Sequence, residues 1–338
     1  MSKRIVVCSD GTWNRPELDV EQDHATNVLK FARAIDPIAS DGKSQQVFYD
    51  WGLGSYHDVL ISGATGRGLH KNIVDGYRYI VQNYSPGDEI WLFGFSRGAY
   101  TVRCLSGLIN NCGIIKRPDA KYIQKAFDHY KTQDDKYAPN GIKSVEFRDK
   151  YSHSTRDVAF VGVWDTVGAM GIPFSFLGLF EDKDEFFDTK IGGNVKVARH
   201  ALAIDEHRQD FTPTIWSSKD SVDIEQVWFA GAHSNVGGSY PADDDGTRLS
   251  DIPLQWMMQQ AQLNGLSIEH HLLDGIVLNP LAKLVNSRRK FYRLKTKALR
   301  TINDVGAAQV HSSVKARWQQ DDSYRPENLL EYAKLHGW

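Results

Sequence analysis

The chain opens on a short apolar run, Ile5-Val6-Val7-Cys8, that ends in Ser9-Asp10-Gly11-Thr12. A brief β-branched run closed by turn-forming residues predicts a buried parallel strand. Val28, Leu29, Phe31 and Ala32 then share one face of a helix that begins near Thr26 and stops before Pro37. Val47-Phe48-Tyr49 predicts a second strand, followed by a glycine-rich loop from Gly52 to Gly68. Leu69, Ile73, Tyr77, Ile80, Val81 and Tyr84 recur at helical spacing until Pro86-Gly87 breaks the pattern. A third strand, Ile90-Trp91-Leu92-Phe93-Gly94-Phe95, leads directly into a helical stripe of Ala99, Val102, Leu105, Leu108 and Ile109. Strands and helices alternating in this way predict a parallel sheet with right-handed crossovers.

Downstream the pattern is less regular. Residues 114–156 are polar and read as helices and loops, and Val158 to Trp164 is the most strand-like run of the chain. An apolar stretch from Ile172 to Phe180 precedes the acidic EDKDE. Val195 to Arg208 reads as a helix, with Val197, Ala201, Leu202 and Ile204 apolar. A last strong strand, Ile224 to Phe229, ends in Gly231-Ala232-His233. Pro253 to Leu263 predicts a helix, and residues 270–338 give weak signals. With no repeat and no long linker, the expectation is one α/β domain over residues 1–338, a mostly parallel central sheet with helices on both faces. Irregular insertions are expected at about 114–156 and 170–222.

Composition narrows the function classes. Apolar residues make up 41% and charged residues 24% of the 338, which is globular composition. Forty Lys and Arg against 42 Asp and Glu give a net charge of −2, so no global field draws the protein to nucleic acid or to an anionic membrane. Cys8, Cys104 and Cys112 cannot all pair and form no CxxC, which argues against a disulfide framework or zinc ribbon and for a reducing compartment. The N-terminus has no secretory apolar region and no run of 18 apolar residues occurs, so a soluble, cytoplasmic protein is expected.

Gly94-Phe95-Ser96-Arg97-Gly98 is a G-x-S-x-G sequence at a strand-to-helix junction. There a serine sits on a sharp turn, and small residues two before and two after let strand and helix approach. Ser96 is therefore the candidate nucleophile, against a purely structural βα turn. A serine hydroxyl needs a base. His233, closing the last strong strand in the small-residue loop GAHSNVGG, is the candidate, with His311 in reserve and a loop-bound structural histidine as the plain alternative. His200, His207 and the His270-His271 pair read as solvated helix faces. The base in turn needs an orienting acid. Asp165 follows the strand ending in Trp164 and fits the chain order Ser, Asp, His; Asp205 is the rival. The oxyanion hole calls for the Arg97 amide and a second donor, Gly11 or Thr12, although no HGGG-type signature is present. Phe174, Phe176, Leu177 and Phe180 read either as core or as a lid or acyl-pocket wall.

Other chemistries lack support. Gly63 to Gly68 has the glycines of a phosphate loop without the Lys-Ser or Lys-Thr, and the first strand is not followed by a dinucleotide fingerprint. Asp243-Asp244-Asp245-Gly246 lacks spaced calcium ligands and reads as a solvated turn. No metal site and no cofactor are expected.

SDGTWN, GFSRGAY, GVWDTVG, ALAIDEHRQDF, VWFAGAHSNVGGSYP, LSDIPLQWM and YRPENL, in this order from residue 9 to 329, resemble an α/β-hydrolase family. It is the family of type VI secretion phospholipase effector catalytic domains and their stand-alone relatives. The resemblance implies an α/β-hydrolase fold with Ser96 as nucleophile, Asp165 as acid and His233 as base. It implies hydrolysis of carboxylic esters, lipid or phospholipid acyl esters first among them. It also implies peripheral contact with a membrane and delivery by a specialised secretion system. A non-catalytic binding module of the same fold and a hydrolase of small soluble esters or thioesters are the competing readings.

Overall fold

The computed structural model describes residues 2–11, 24–52, 66–167, 190–288, 296–302 and 308–338. Among these residues seven strands form one sheet: β1 (Arg4–Ser9), β2 (Gln45–Asp50), β3 (Glu89–Phe95), β4 (Val158–Trp164), β5 (Val195–Ala203), β6 (Asp223–Phe229) and β7 (Ala308–Val310). Their order is β2-β1-β3-β4-β5-β6-β7. Every neighbouring pair is parallel. The helices between them are α1 (Asn27–Ala34), α2 (Gly66–Asn83), α3 (Arg97–Cys112), α4 (Ile123–Tyr130), α5 (Ile142–Tyr151), α6 (His233–Gly237), α7 (Asp251–Leu263) and α8 (His270–Asp274). α9 (Ser312–Gln320) and α10 (Leu330–Leu335) end the chain.

The strands are apolar on both faces because both faces are covered. Ile5 and Val7 of β1 enter a core shared with α2, α3, α4 and α5, while Val6 and Cys8 enter a second core shared with α1 and α7. β4 divides the same way, Val161 and Val163 to one side, Phe160 and Trp164 to the other. Two-sided burial turns a strand into a continuous apolar run. The architecture is α/β, a parallel sheet with helices packed on both faces. Among the described residues no helix is long and apolar enough to cross a membrane. The three cysteines are buried and form no disulfide with one another.

Two expectations need correction. Val195 to Arg208 is not a helix: Val195–Ala203 is strand β5, so the span 170–222 contains a central strand and is not simply an irregular insertion. Val197, Ala201, Leu202 and Ile204 imitate a helical stripe because β5 is buried on both faces from Ala198 onward, which erases the period-2 signal. His200 therefore lies on a strand and is fully buried, not solvated. Its Nε2 accepts the Thr166 amide at 3.1 Å. Burial, with Arg103 adding to it, pushes its pKa down to about 3, so the ring is neutral.

The chain leaves β1 toward β2 on one side and later places β3 on the other, so the strand order reverses between β1 and β3. In open parallel sheets the crevice beyond the carboxyl ends at such a switch point is where ligands gather. Ser96 follows β3 and Asp10-Gly11 follows β1, at that crevice.

Candidate active site

Ser96 is held by backbone geometry. It precedes the first turn of α3 with φ 57° and ψ −121°, a left-handed region that non-glycine residues seldom adopt. Its amide donates to the Trp164 carbonyl at 3.1 Å, which ties the turn to the end of β4. Gly94 and Gly98 permit the turn. A Cβ on Gly94 would lie 2.5 Å from the Gly98 carbonyl oxygen, and one on Gly98 would lie 2.0 Å from the Ser9 carbonyl oxygen. Backbone that strained is characteristic of functional turns.

His233 begins α6 immediately after the loop that leaves β6. Its Nε2 lies 2.8 Å from Ser96 Oγ. Its Nδ1 lies 2.6 Å from Asp165 Oδ2. The ring sits between Phe95, with centroids 4.6 Å apart, and Phe211, with centroids 5.0 Å apart. The loop is fixed from behind by Asn235, whose Oδ1 accepts the Ala232 and Val285 amides and whose Nδ2 donates to the Lys283 carbonyl. Burial lowers the His233 pKa below its ordinary value, against the opposing pull of the Asp165 hydrogen bond and charge. The unprotonated ring is the form that accepts a proton from a hydroxyl.

Asp165 ends β4 and is itself left-handed, with φ 40°. Its side chain is fully buried, and each carboxylate oxygen has partners: Oδ1 accepts the Ala203 amide at 3.0 Å and Arg300 Nη1 at 2.6 Å. Oδ2 accepts His233 Nδ1 and, at 3.0 Å, Arg300 Nη2. Burial alone would raise its pKa; the Arg300 charge and the His233 hydrogen bond outweigh that and hold it below the usual carboxylate range.

The rival residues are engaged elsewhere. Asp205 Oδ2 accepts the Gly231 amide at 2.6 Å and the Tyr324 hydroxyl at 3.0 Å, and so braces the loop leading to His233. His311 caps α9: its Nδ1 accepts the Ser313 amide, and its ring stacks on Phe229 at 4.7 Å. Asp245 closes its turn by accepting the Thr247 amide, and Asp243 accepts the Lys283 amide from a later segment. Among the described residues no group of three or more His, Cys, Asp or Glu is placed to hold a metal ion.

The expected oxyanion loop needs one correction. The Gly11 amide donates to Asp10 Oδ1 at 2.7 Å, so in this structure it faces its neighbour's carboxylate and not the crevice. Asp10 Oδ2 also accepts the Thr26 and Tyr49 hydroxyls, a buried hub that fixes the end of β1. Thr12 lies outside the described residues, as do Phe174, Phe176, Leu177 and Phe180. Arg97 opens α3, a 16-residue helix whose first amides point toward the Ser96 side of the crevice.

Sequence reasoning did not find several neighbours. Glu206 Oε2 accepts the His233 amide at 3.3 Å and is held by Arg208, whose guanidinium lies 3.4 Å above the Phe211 ring. Burial would raise the Glu206 pKa, but Arg208 brings it below the ordinary value. A cavity of about 450 Å³ opens beside this group, with Phe211, Pro213, Ile215, Trp228 and Leu299 among its walls. The conspicuous block AIDEHRQDF carried the signal for Glu206, Arg208 and Phe211; Arg300 had none.

The uncharacterized protein YEL023C of Saccharomyces cerevisiae is 26% identical over 232 residues, which is 62% of this chain and 32% of the yeast protein. A crystal structure of an uncharacterized protein from Pseudomonas aeruginosa is 15% identical, with a TM-score of 0.44 over 79% of this chain and 46% of that one. A structure of the Tle1 effector bound to the VgrG spike of the type 6 secretion system is 18% identical, with a TM-score of 0.41 over 72% of this chain and 52% of that one. The chain thus spans about a third of the yeast relative and about half of the two solved chains. The family model described as "T6SS, Phospholipase effector Tle1-like, catalytic domain" matches residues 3–260, and the chain belongs to that family.

Proposed function

We propose that the protein is a serine hydrolase of carboxylic esters, with lipid acyl esters, phospholipids foremost, as the substrate class. One observation carries the mechanism: Ser96 Oγ, the His233 ring and the Asp165 carboxylate form an unbroken hydrogen-bonded line, 2.8 Å and 2.6 Å at its two links. Membership of a phospholipase effector family supports the substrate class.

In this reading His233 Nε2 takes the Ser96 proton as Oγ attacks the ester carbonyl. Asp165 keeps the other ring nitrogen protonated and stabilises the imidazolium. The Arg97 amide, at the positive end of α3, stabilises the oxyanion. The tetrahedral intermediate collapses, His233 returns the proton to the departing alcohol, and an acyl group remains on Ser96. Water, deprotonated by His233, then releases the acid and restores the serine. No step calls for a cofactor. The cavity walled by Phe211, Ile215 and Leu299 receives the apolar part of the substrate, which reaches it by peripheral contact with a lipid surface.

The test is turnover of acyl esters of graded chain length, and of phospholipid vesicles, by the whole chain. Release of fatty acid from phospholipid is expected. Cleavage confined to acetyl esters would contradict the lipid assignment, and no cleavage of any ester would favour a non-catalytic binding module.

A further inference from the structure

Arg300 lies 135 positions from Asp165 in sequence and 40 residues beyond the end of the family match. Its side chain is almost fully buried, and it grips both oxygens of the carboxylate, Nη1 on Oδ1 and Nη2 on Oδ2. The same nitrogens donate to the Ala203 carbonyl at 2.8 Å and the Phe211 carbonyl at 2.6 Å. The segment that carries Arg300 is stitched in turn to the site. The Ala298 amide donates to the His207 carbonyl, and Arg208 bridges to Lys297 in antiparallel fashion. Asn328 Nδ2 donates to both the Ile204 and the Arg300 carbonyls.

We infer that Arg300 is a positioning residue for the Asp165–His233 pair, and that the segment after residue 260 completes the site by delivering it. This rests on the serine-hydrolase reading above. A carboxylate on a left-handed residue at a strand end has freedom to turn about its side-chain bonds. A planar guanidinium bonded to both oxygens and to two fixed carbonyls removes that freedom, which a lysine's single point of charge would not. The fork leaves Oδ2 aimed at Nδ1, so the ring keeps Nε2 toward Ser96.

The arrangement has an electrostatic signature that a merely structural arginine would lack. Among the described residues, the charged groups facing His233 include Asp165 from β4 and Glu206 and Arg208 from the segment after β5, with Arg300 behind Asp165. His200, the next imidazole beside Asp165, stays neutral. Removing Arg300 leaves the Asp165–His233 pair with one positive charge fewer nearby, so the pair binds a proton more readily. The base then needs a higher pH to be free.

The rate at which a fluorophosphonate labels Ser96, followed from pH ~5 to ~9, reads this directly because attack needs the neutral base. Arg300→Gln should lower the plateau rate ~10- to 100-fold and move the acid limb up by about one pH unit. Arg300→Lys, which keeps the charge and loses the fork, should lower the plateau ~10-fold with the limb near its wild-type place. A plateau and limb unchanged in Arg300→Gln would overturn the assignment. Should that variant fail to fold by circular dichroism, Arg300→Lys decides alone, and an unchanged plateau overturns it. An unlabelled wild type would overturn the hydrolase reading and this inference with it, whereas a labelled wild type with indifferent variants would overturn this inference only.

Discussion

Gly98 rests on the end of β1 so closely that a Cβ would stand 2.0 Å from the carbonyl oxygen of Ser9. The contact joins the helix carrying the Ser96 turn to the strand that ends at Asp10-Gly11, across the crevice. Both partners are backbone, so neither can swing aside. Gly98→Ala should therefore destabilise the fold by about 1–3 kcal/mol or more, as overpacking does, and displace the turn. The urea unfolding midpoint should fall and activity with it; an unchanged midpoint would show that the contact has room to relax.

Asp165 and Asp205 lie at neighbouring strand ends yet should respond in opposite ways. Asp165→Asn should lose ~10⁴-fold in kcat through the wrong imidazole tautomer. It should also cost about 3–5 kcal/mol, because the Arg300 guanidinium loses its buried counter-charge. Asp205→Asn keeps an acceptor for the Gly231 amide and should retain most activity. Steady-state kinetics and denaturant melts on the two variants check this, and the reverse order would show that Asp205 orients the base.

Acid should weaken the fold through His200. Its folded pKa of about 3 lies below the unfolded value, so above the unfolded pKa the ring is neutral in both states and costs nothing. As pH falls below ~6.5 the unfolded chain binds a proton that the folded chain refuses, and stability drops by about 1.4 kcal/mol per pH unit until the folded ring titrates. His200→Gln retains an acceptor for the Thr166 amide and removes this titration. Its stability measured at pH ~5 and ~7 should differ less than the wild type's by about that slope per unit. Identical slopes would mean that His200 is not buried neutral.

How much of this was readable beforehand follows from physical cause. Ser96, Asp165 and His233 each sit where an apolar run stops, and a parallel sheet collects strand ends at one edge, so position alone brought them together. β5 reads as a helix in sequence because Val197, Ala201, Leu202 and Ile204 satisfy helical spacing, and burial on both faces leaves no alternation to contradict it. β7 is three residues long, too short for a pattern. Arg300 stands in a polar stretch with its partner 135 residues away, a relation that only the folded chain makes. The apolar segment at 172–180 lies outside the described residues, and the cavity beside Phe211 is the place proposed above for the acyl chain.

That cavity gives a specificity test. Ile215 lines it from the loop before β6 and is only partly buried, so a polar replacement changes the wall more than the core. Ile215→Ser should lower kcat/KM for long-chain esters well below its effect on acetyl esters, since each buried methylene contributes ~0.8 kcal/mol. Equal losses on both, with a lower melting temperature, would make Ile215 a packing residue only.

Ser96 is proposed to be a nucleophile activated by His233. Mass spectrometry of the intact wild-type chain treated with a fluorophosphonate, followed by peptide mapping, tests it most directly. One adduct is expected, on Ser96, absent from Ser96→Ala and nearly absent from His233→Ala. An adduct on another serine, or undiminished labelling of Ser96 once His233 is removed, would contradict it.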